Sequence, residues 1–164
     1  MKPWITAYIG VGSNLESPLQ QAKSAIWTLK AHRHLRSVKA SPLYGSKPVG
    51  PQDQPDYINA VVSLETQLGP HDLLDLLQSI ENSQGRVRKR HWGERTLDLD
   101  LLLYGAAEIH TPRLTVPHPH MLERSFVLHP LSDLCPNLAI NNKGLLGDYL
   151  SQVPNDLYPV ENGN

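Results

Sequence analysis

The chain predicts an α+β domain of the ferredoxin-like kind, an antiparallel sheet with helices packed on it, and three observations predict it. Segments that alternate in β-forming residues and segments with apolar residues at helical spacing follow one another in the order β-α-β-β-α-β. At 164 residues the chain suits one domain, long enough to bury a core without disulfides or a structural metal. A hydrophobic share of 40% with 19% charged residues is that of an ordinary folded protein rather than a disordered one. Residues 1–164 are therefore taken as a single domain, with a polar tail from about Pro154 that is expected to fray.

The elements follow in order. Ile5 to Val11 is a strand that stops at the glycines of Gly10-Val11-Gly12-Ser13-Asn14, read as a strand-end turn. Ser17-Pro18-Leu19-Gln20 has the form of a capping-box start, with Leu19, Ala22, Ile26 and Leu29 as the apolar stripe of a helix running to about His32. Leu35 to Leu43 reads as a second strand. Tyr44 to Asp56 carries too many prolines and glycines for a helix or central strand and is expected to be a long binding loop. Tyr57 to Leu68 alternates as a third strand. Pro70 opens a second helix whose buried stripe is Leu73, Leu74, Leu77 and Ile80. After a loop from Gln84 to Glu94 comes the strand Thr96 to Tyr104, then a short hairpin around Gly105. A proline-rich crossing from Pro112 to Pro119 and a helix near Arg124 to Leu134 complete the order.

Charge and composition exclude several classes. A net charge of −1 is not that of a nucleic-acid or membrane-surface binder, which carries a clear basic excess. The single cysteine, Cys135, cannot form an internal disulfide, and no run approaches the roughly 20 apolar residues that span a bilayer. A cytoplasmic protein is expected. There is no Gly-x-x-x-x-Gly-Lys-Ser/Thr loop, no third glycine to complete a dinucleotide fingerprint near Gly10, and no protein-kinase loop. His118 and His120 lack a matching pair elsewhere at ligand spacing, so zinc is poorly supported.

The chemistry concentrates between His91 and Leu103. Side chains alternate along a strand, so Asp98 and Asp100 share one face while Leu97, Leu99 and Leu101 share the core face. Two carboxylates with Cα atoms roughly 6.5–7 Å apart favour a cation between them, and hard oxygens suit magnesium bridged to phosphate. Taken alone, Asp-x-Asp is more often the wet face of an edge strand. The upstream segment changes that balance. Five of the 15 basic residues, Arg86, Arg88, Lys89, Arg90 and Arg95, fall within ten positions of a chain that is net acidic. Cations that neutralise phosphoryl oxygens beside carboxylates that hold magnesium are the equipment of phosphoryl transfer.

These motifs together resemble the 6-hydroxymethyl-7,8-dihydropterin pyrophosphokinases of folate biosynthesis. The likeness runs from about residue 5 to about residue 137. It includes Ala7 to Leu15, Gly50 to Ala60, Glu81 with Gly85 to Arg88, His91 to Leu102, and Leu114 to His118 with Arg124 to Leu128, in matching order. The resemblance implies an ATP-dependent pyrophosphokinase that transfers pyrophosphate to the pterin hydroxymethyl group and releases AMP. It implies that Asp98 and Asp100 hold two Mg2+ ions and that Arg86 and Arg95 steady the triphosphate, with Arg88, His118 and Arg124 in support. Gln78, Glu81, Trp92, Leu101, Arg113, Leu114 and Thr115 match the adenosine side. Tyr57 and Phe126 match an aromatic pair around the pterin ring; Asn59, with backbone of Ser46, Pro48 and Val49, matches its hydrogen-bonding edge.

The partners implied are ATP and 6-hydroxymethyl-7,8-dihydropterin, with no nucleic acid or membrane, acting on a monomer. Lys47 and Pro119 depart from members that carry proline and tyrosine there, and the loop before Trp92 is one residue shorter than in some relatives. Two rivals remain. An RNA-binding module would need exposed aromatics on the sheet face, where the two aspartates lie instead. An inactive relative that keeps the fold is opposed by retention of both aspartates and both arginines.

Overall fold

The protein is described by a computed structural model over residues 2–14, 17–47, 56–84 and 97–160. Strand β1 (Ile5–Ser13) lies between β4 (Tyr57–Thr66) and β5 (Leu97–Tyr104), antiparallel to both. The far edge of β4 carries β2 (Leu35–Ala40) at one end and β3 (Tyr44–Ser46) at the other. A last strand, β8 (Tyr158–Pro159), adds to β3, giving the order β5-β1-β4-β3-β8. The expected β-α-β-β-α-β frame is present.

Helices α1 (Pro18–Ala31) and α2 (Pro70–Gln84) cover one face of the sheet. Ala22, Ala25, Ile26 and Leu29 of α1 and Leu73, Leu77 and Ile80 of α2 meet Ala7, Ile9 and Val11 of β1, alternate residues of β4, and Leu97, Leu99 and Leu101 of β5. The 3.6 and 2.0 periods of the sequence thus meet in one apolar layer. Helix α3 (Ser125–Leu134) and the short α4 (Leu146–Leu150) cover part of the opposite face. There Leu102, Leu103, Met121, Leu128 and Leu131 form a second buried cluster.

Several expectations need correction. Strand β1 does not turn at its glycines; both lie inside it, paired on both sides up to Ser13. Ser17 stands before α1 in the left-handed region, at φ 57°, and makes no side-chain cap, so the capping box does not form. The strand from Leu35 stops at Ala40, because Pro42 has no N–H for the ladder, and resumes at Tyr44 inside the expected loop. The hairpin forms further on, between β6 (Ile109–His110) and β7 (Thr115–Val116), with Gly105 making only the turn that leaves β5. Leu74 is half-buried. The tail is tied down at Tyr158–Pro159, where β8 pairs with β3.

Candidate functional site

Gly10, Gly12, Asn59, Asp98 and Asp100, from two cross-strand rows, lie on the floor of a cleft of about 520 Å³ on the second face of the sheet. Residues directly opposite in antiparallel strands share a face, so Asn59, Gly12 and Asp98 form one row and Val61, Gly10 and Asp100 the next. Both middle positions are glycine. A Cβ at Gly12 would meet only Asn59 Oδ1, at 3.5 Å, so the strand clears space without strain elsewhere. Tyr57, Ser46, Arg124 and Phe126 complete the walls.

The polar groups are directed. Asn59 is 3% exposed, and its amide nitrogen donates to Ser46 Oγ at 2.7 Å. This leaves Oδ1 turned toward Gly12 as an acceptor for a flat heterocycle's N–H. Arg124 places its guanidinium carbon 5.6 Å from the Phe126 ring centre. Burial pushes the Asp100 carboxyl above the usual carboxylate range, and the Arg124 cation acts against that shift. A carboxylate held against its desolvation is a ready partner for a cation.

A second cleft of about 380 Å³ opens on the other side of Asp100. Gln78 and Glu81 of α2, Leu101 of β5, Arg113, Leu114, Thr115 and His118 line it. Asp100 borders both clefts. Glu81 accepts the Leu99 backbone N–H at 2.7 Å, occupying a donor that the edge strand β5 would otherwise leave outward, between the two aspartates. Arg113 is held by Asp75 at 2.7 Å and by Gln78 Oε1 at 3.1 Å.

His118 has its pKa lowered to about 4, first by burial and then by Arg124 and His120, so it is uncharged at neutral pH. Its Nδ1 accepts the His120 N–H at 3.2 Å, which assigns the ring proton to Nε2. It brings a neutral donor to this cleft, not a cation.

Asp98, Asp100, Ser46, Tyr57, Asn59, Arg124 and Phe126 therefore come together in the first cleft, and Gln78, Glu81, Leu101, Arg113, Leu114, Thr115 and His118 in the second. Pro48, Val49, Arg86, Arg88, Trp92 and Arg95 lie outside the described residues. Sequence reasoning missed Gly10 and Gly12, whose period-two placement against Ala7, Ile9 and Val11 was a usable signal. It also did not foresee that the Ser46 hydroxyl holds Asn59. Pro154 and Asp156, from the expected fraying tail, line the first cleft as well.

Two carboxylates fit magnesium, which takes one or two protein carboxylates and completes its shell with substrate phosphates and water. Among the described residues no group of three or more His, Cys, Asp or Glu gathers as a metal cage.

Comparison with known proteins gives the family. Residues 8–136 match the 7,8-dihydro-6-hydroxymethylpterin-pyrophosphokinase (HPPK) family. The 2-amino-4-hydroxy-6-hydroxymethyldihydropteridine pyrophosphokinase of Haemophilus influenzae is 51% identical over 90% of this chain and 92% of its own. That of Pseudomonas aeruginosa is 49% identical over 90% of this chain and 91% of its own. The structure of Plasmodium falciparum HPPK-DHPS with pteroate superposes with a TM-score of 0.73 at 12% identity. That alignment covers 93% of this chain and 45% of the Plasmodium one, and shows the shared fold.

Proposed function

Because the chain belongs to the 7,8-dihydro-6-hydroxymethylpterin pyrophosphokinase family, we propose that its two clefts are the pterin and ATP sites and that Asp98 and Asp100 join them. The enzyme transfers pyrophosphate from ATP to the hydroxymethyl group of 6-hydroxymethyl-7,8-dihydropterin, releasing AMP, in folate biosynthesis. The observation that carries the assignment of sites is the position of Asp100 on the border of both clefts.

In this reading the pterin ring lies over Gly10 and Gly12 between Tyr57 and Phe126. Asn59 Oδ1, held by Ser46, orients its edge. The adenosine enters between α2 and the β6–β7 hairpin, past Gln78, Glu81, Leu101, Leu114 and Thr115. Its phosphates then run toward Asp100. The hydroxymethyl oxygen forms a bond to the β-phosphorus, the bond from that phosphorus to the α,β-bridging oxygen breaks, and AMP leaves as the hydroxyl proton is lost. Two Mg2+ ions, when bound to Asp98 and Asp100, neutralise phosphoryl oxygens and the developing charge on the leaving group.

Arg124 adds a cation beside Asp100, and His118 donates a hydrogen bond from Nε2 without adding charge. Arg113 leaves Asp75 for the nucleotide, at small cost because that pair is exposed on both sides. Arg86 and Arg95 supply further donors to the triphosphate, with Arg88 and Trp92 on the nucleotide side and backbone of Pro48 and Val49 on the pterin edge. The reading also makes the chain a cytoplasmic monomer that works on small molecules rather than on nucleic acid or membranes. Among the described residues no helix is long and apolar enough to cross a membrane.

The test is a product analysis. Purified protein with magnesium, ATP and 6-hydroxymethyl-7,8-dihydropterin should form AMP only when the pterin is present. ADP as the product would overturn attack at the β-phosphorus.

A further inference from the structure

We infer that the segment Pro154–Val160 is a fixed wall of the pterin cleft and that Asp156 is a positioning residue for pterin binding, acting through Ser125 on Arg124 and Phe126. The inference rests on the reading that the first cleft takes the pterin. The family model's own match ends at residue 136, before this segment begins. Yet Pro154 and Asp156 line the same cleft as Asp98, Asp100, Tyr57 and Phe126.

The segment is tied down at several places, on both walls of the cleft. On the α3 side, Ser125 Oγ donates to Asp156 Oδ1 at 2.6 Å, and His129 Nε2 lies 3.2 Å from the Pro154 carbonyl. On the strand side, β8 pairs with β3 through Gly45 and Tyr44, and the Val160 N–H donates to the Leu43 carbonyl at 3.1 Å. The Tyr158 hydroxyl donates to the carboxylate of Asp56, which immediately precedes the cleft residue Tyr57. Tyr158 also needs a glycine beneath it. A Cβ at Gly45 would lie 2.2 Å from the Tyr158 ring carbon Cζ, so the ring sits directly on the β3 backbone.

The consequence lies at the start of α3. Arg124 is the N-cap and makes no side-chain cap of its own, and Ser125, the next residue, is 8% exposed. The two residues flanking Ser125 are the cation beside Asp100 and the aromatic wall. A hydrogen bond from Ser125 to a carboxylate is of the stronger, charge-assisted kind, and negative charge is favoured beside a helix N-terminus. Asp156 thus fixes the first turn of α3 and, with it, the directions of Arg124 and Phe126. Displacement of such a turn by about 1 Å is enough to spoil a stacking geometry.

Equilibrium binding of 6-hydroxymethyl-7,8-dihydropterin, in the presence of a non-hydrolysable ATP analogue, tests this alongside binding of the analogue alone. Asp156→Ala should weaken pterin binding about tenfold, the scale of one charge-assisted hydrogen bond, and weaken the analogue less, because Phe126 serves the pterin alone. Asp156→Asn keeps an oxygen for Ser125 and should recover most of the pterin affinity. An Asp156→Asn variant as weak as Asp156→Ala would overturn the positioning role, because the acceptor it keeps for Ser125 would then do nothing for the pterin.

Phe126→Ala separates the two readings. Loss in Phe126→Ala with no loss in Asp156→Ala overturns the inference alone; no loss in either overturns the pterin assignment, and the inference with it. If Asp156→Ala fails to fold, Tyr158→Phe keeps the ring on Gly45 and removes only the bond to Asp56. Pterin affinity should then fall about two- to threefold, as for a single surface hydrogen bond, and unchanged affinity would overturn the wall.

Discussion

Along the second face of the sheet, the positions at Tyr8 and Leu102 are covered by α3 and α4, whereas the rows at Gly10 and Gly12 are left open as a cleft. The same three strands make both halves. On β4 the change is from Val61 to Asn59, on β1 from Tyr8 to Gly10 and Gly12, and on β5 from Leu102 to Asp100 and Asp98. Each strand loses its apolar side chain within one or two positions of the same line. Val61, Gly10 and Asp100 form the border row, with Val61 in the buried cluster and Asp100 in the cleft. The covered half supplies stability, and the open half trades packing for a place to hold charge.

Changes on either side of that line should therefore fail in different ways. Asp100→Ala removes the carboxylate that borders both clefts, and turnover should fall by about 1000-fold or more, the scale of losing a key electrostatic group. Its thermal melt should stay cooperative, because the folded chain holds this charge against burial. A folded variant with ordinary turnover would remove Asp100 from the metal site. Leu102→Ala, two residues along the same strand, should do the reverse. It should cost about 2–5 kcal/mol in chemical denaturation while the folded fraction keeps its turnover.

Gly12→Val sharpens the comparison. The added Cβ makes only an ordinary contact with Asn59 Oδ1, so stability should hold while pterin affinity drops about tenfold, the order of 1–2 kcal/mol. Loss of stability instead would mean that the floor is packed rather than open.

The smallest effect concerns pH. The folded pKa of His118 is depressed to about 4 against 6.5 for the unfolded chain. Its contribution is therefore present above pH 6.5 and is lost as pH falls toward 4. His118→Gln should remove that part of the acid limb of a stability–pH curve, on the order of 1 kcal/mol after allowing for solvent screening of a half-exposed ring. An unchanged acid limb would place the cost of acid elsewhere.

Much of the open half could be read in advance because it obeys local periods. Leu97, Leu99 and Leu101 alternate with Asp98 and Asp100, and that alternation alone gives strand, face and pairing of carboxylates. The family resemblance then gathered residues from distant segments, and every one of them within the described residues lines one of the two clefts. Other features had no local signature. A register shift where Tyr8 meets Leu103 and Ile9 meets Leu101 lets three successive leucines of β5 be buried, which simple alternation forbids. The tail looked free because its partners are remote, with Asp156 31 residues from Ser125 and Tyr158 102 residues from Asp56. The capping box failed because Ser17 adopts a left-handed backbone in place of the extended one an N-cap serine uses, and its side chain makes no cap.

The claim on which the rest depends is that Asp98 and Asp100 draw metal and nucleotide together at the border of the two clefts. Calorimetric titration of a non-hydrolysable ATP analogue, with and without magnesium, measures this in wild type and in Asp100→Asn, which keeps shape and removes charge. Wild type should bind the analogue much more tightly with magnesium, and Asp100→Asn should lose most of that dependence while keeping the magnesium-free affinity. Undiminished magnesium dependence in Asp100→Asn would contradict the account.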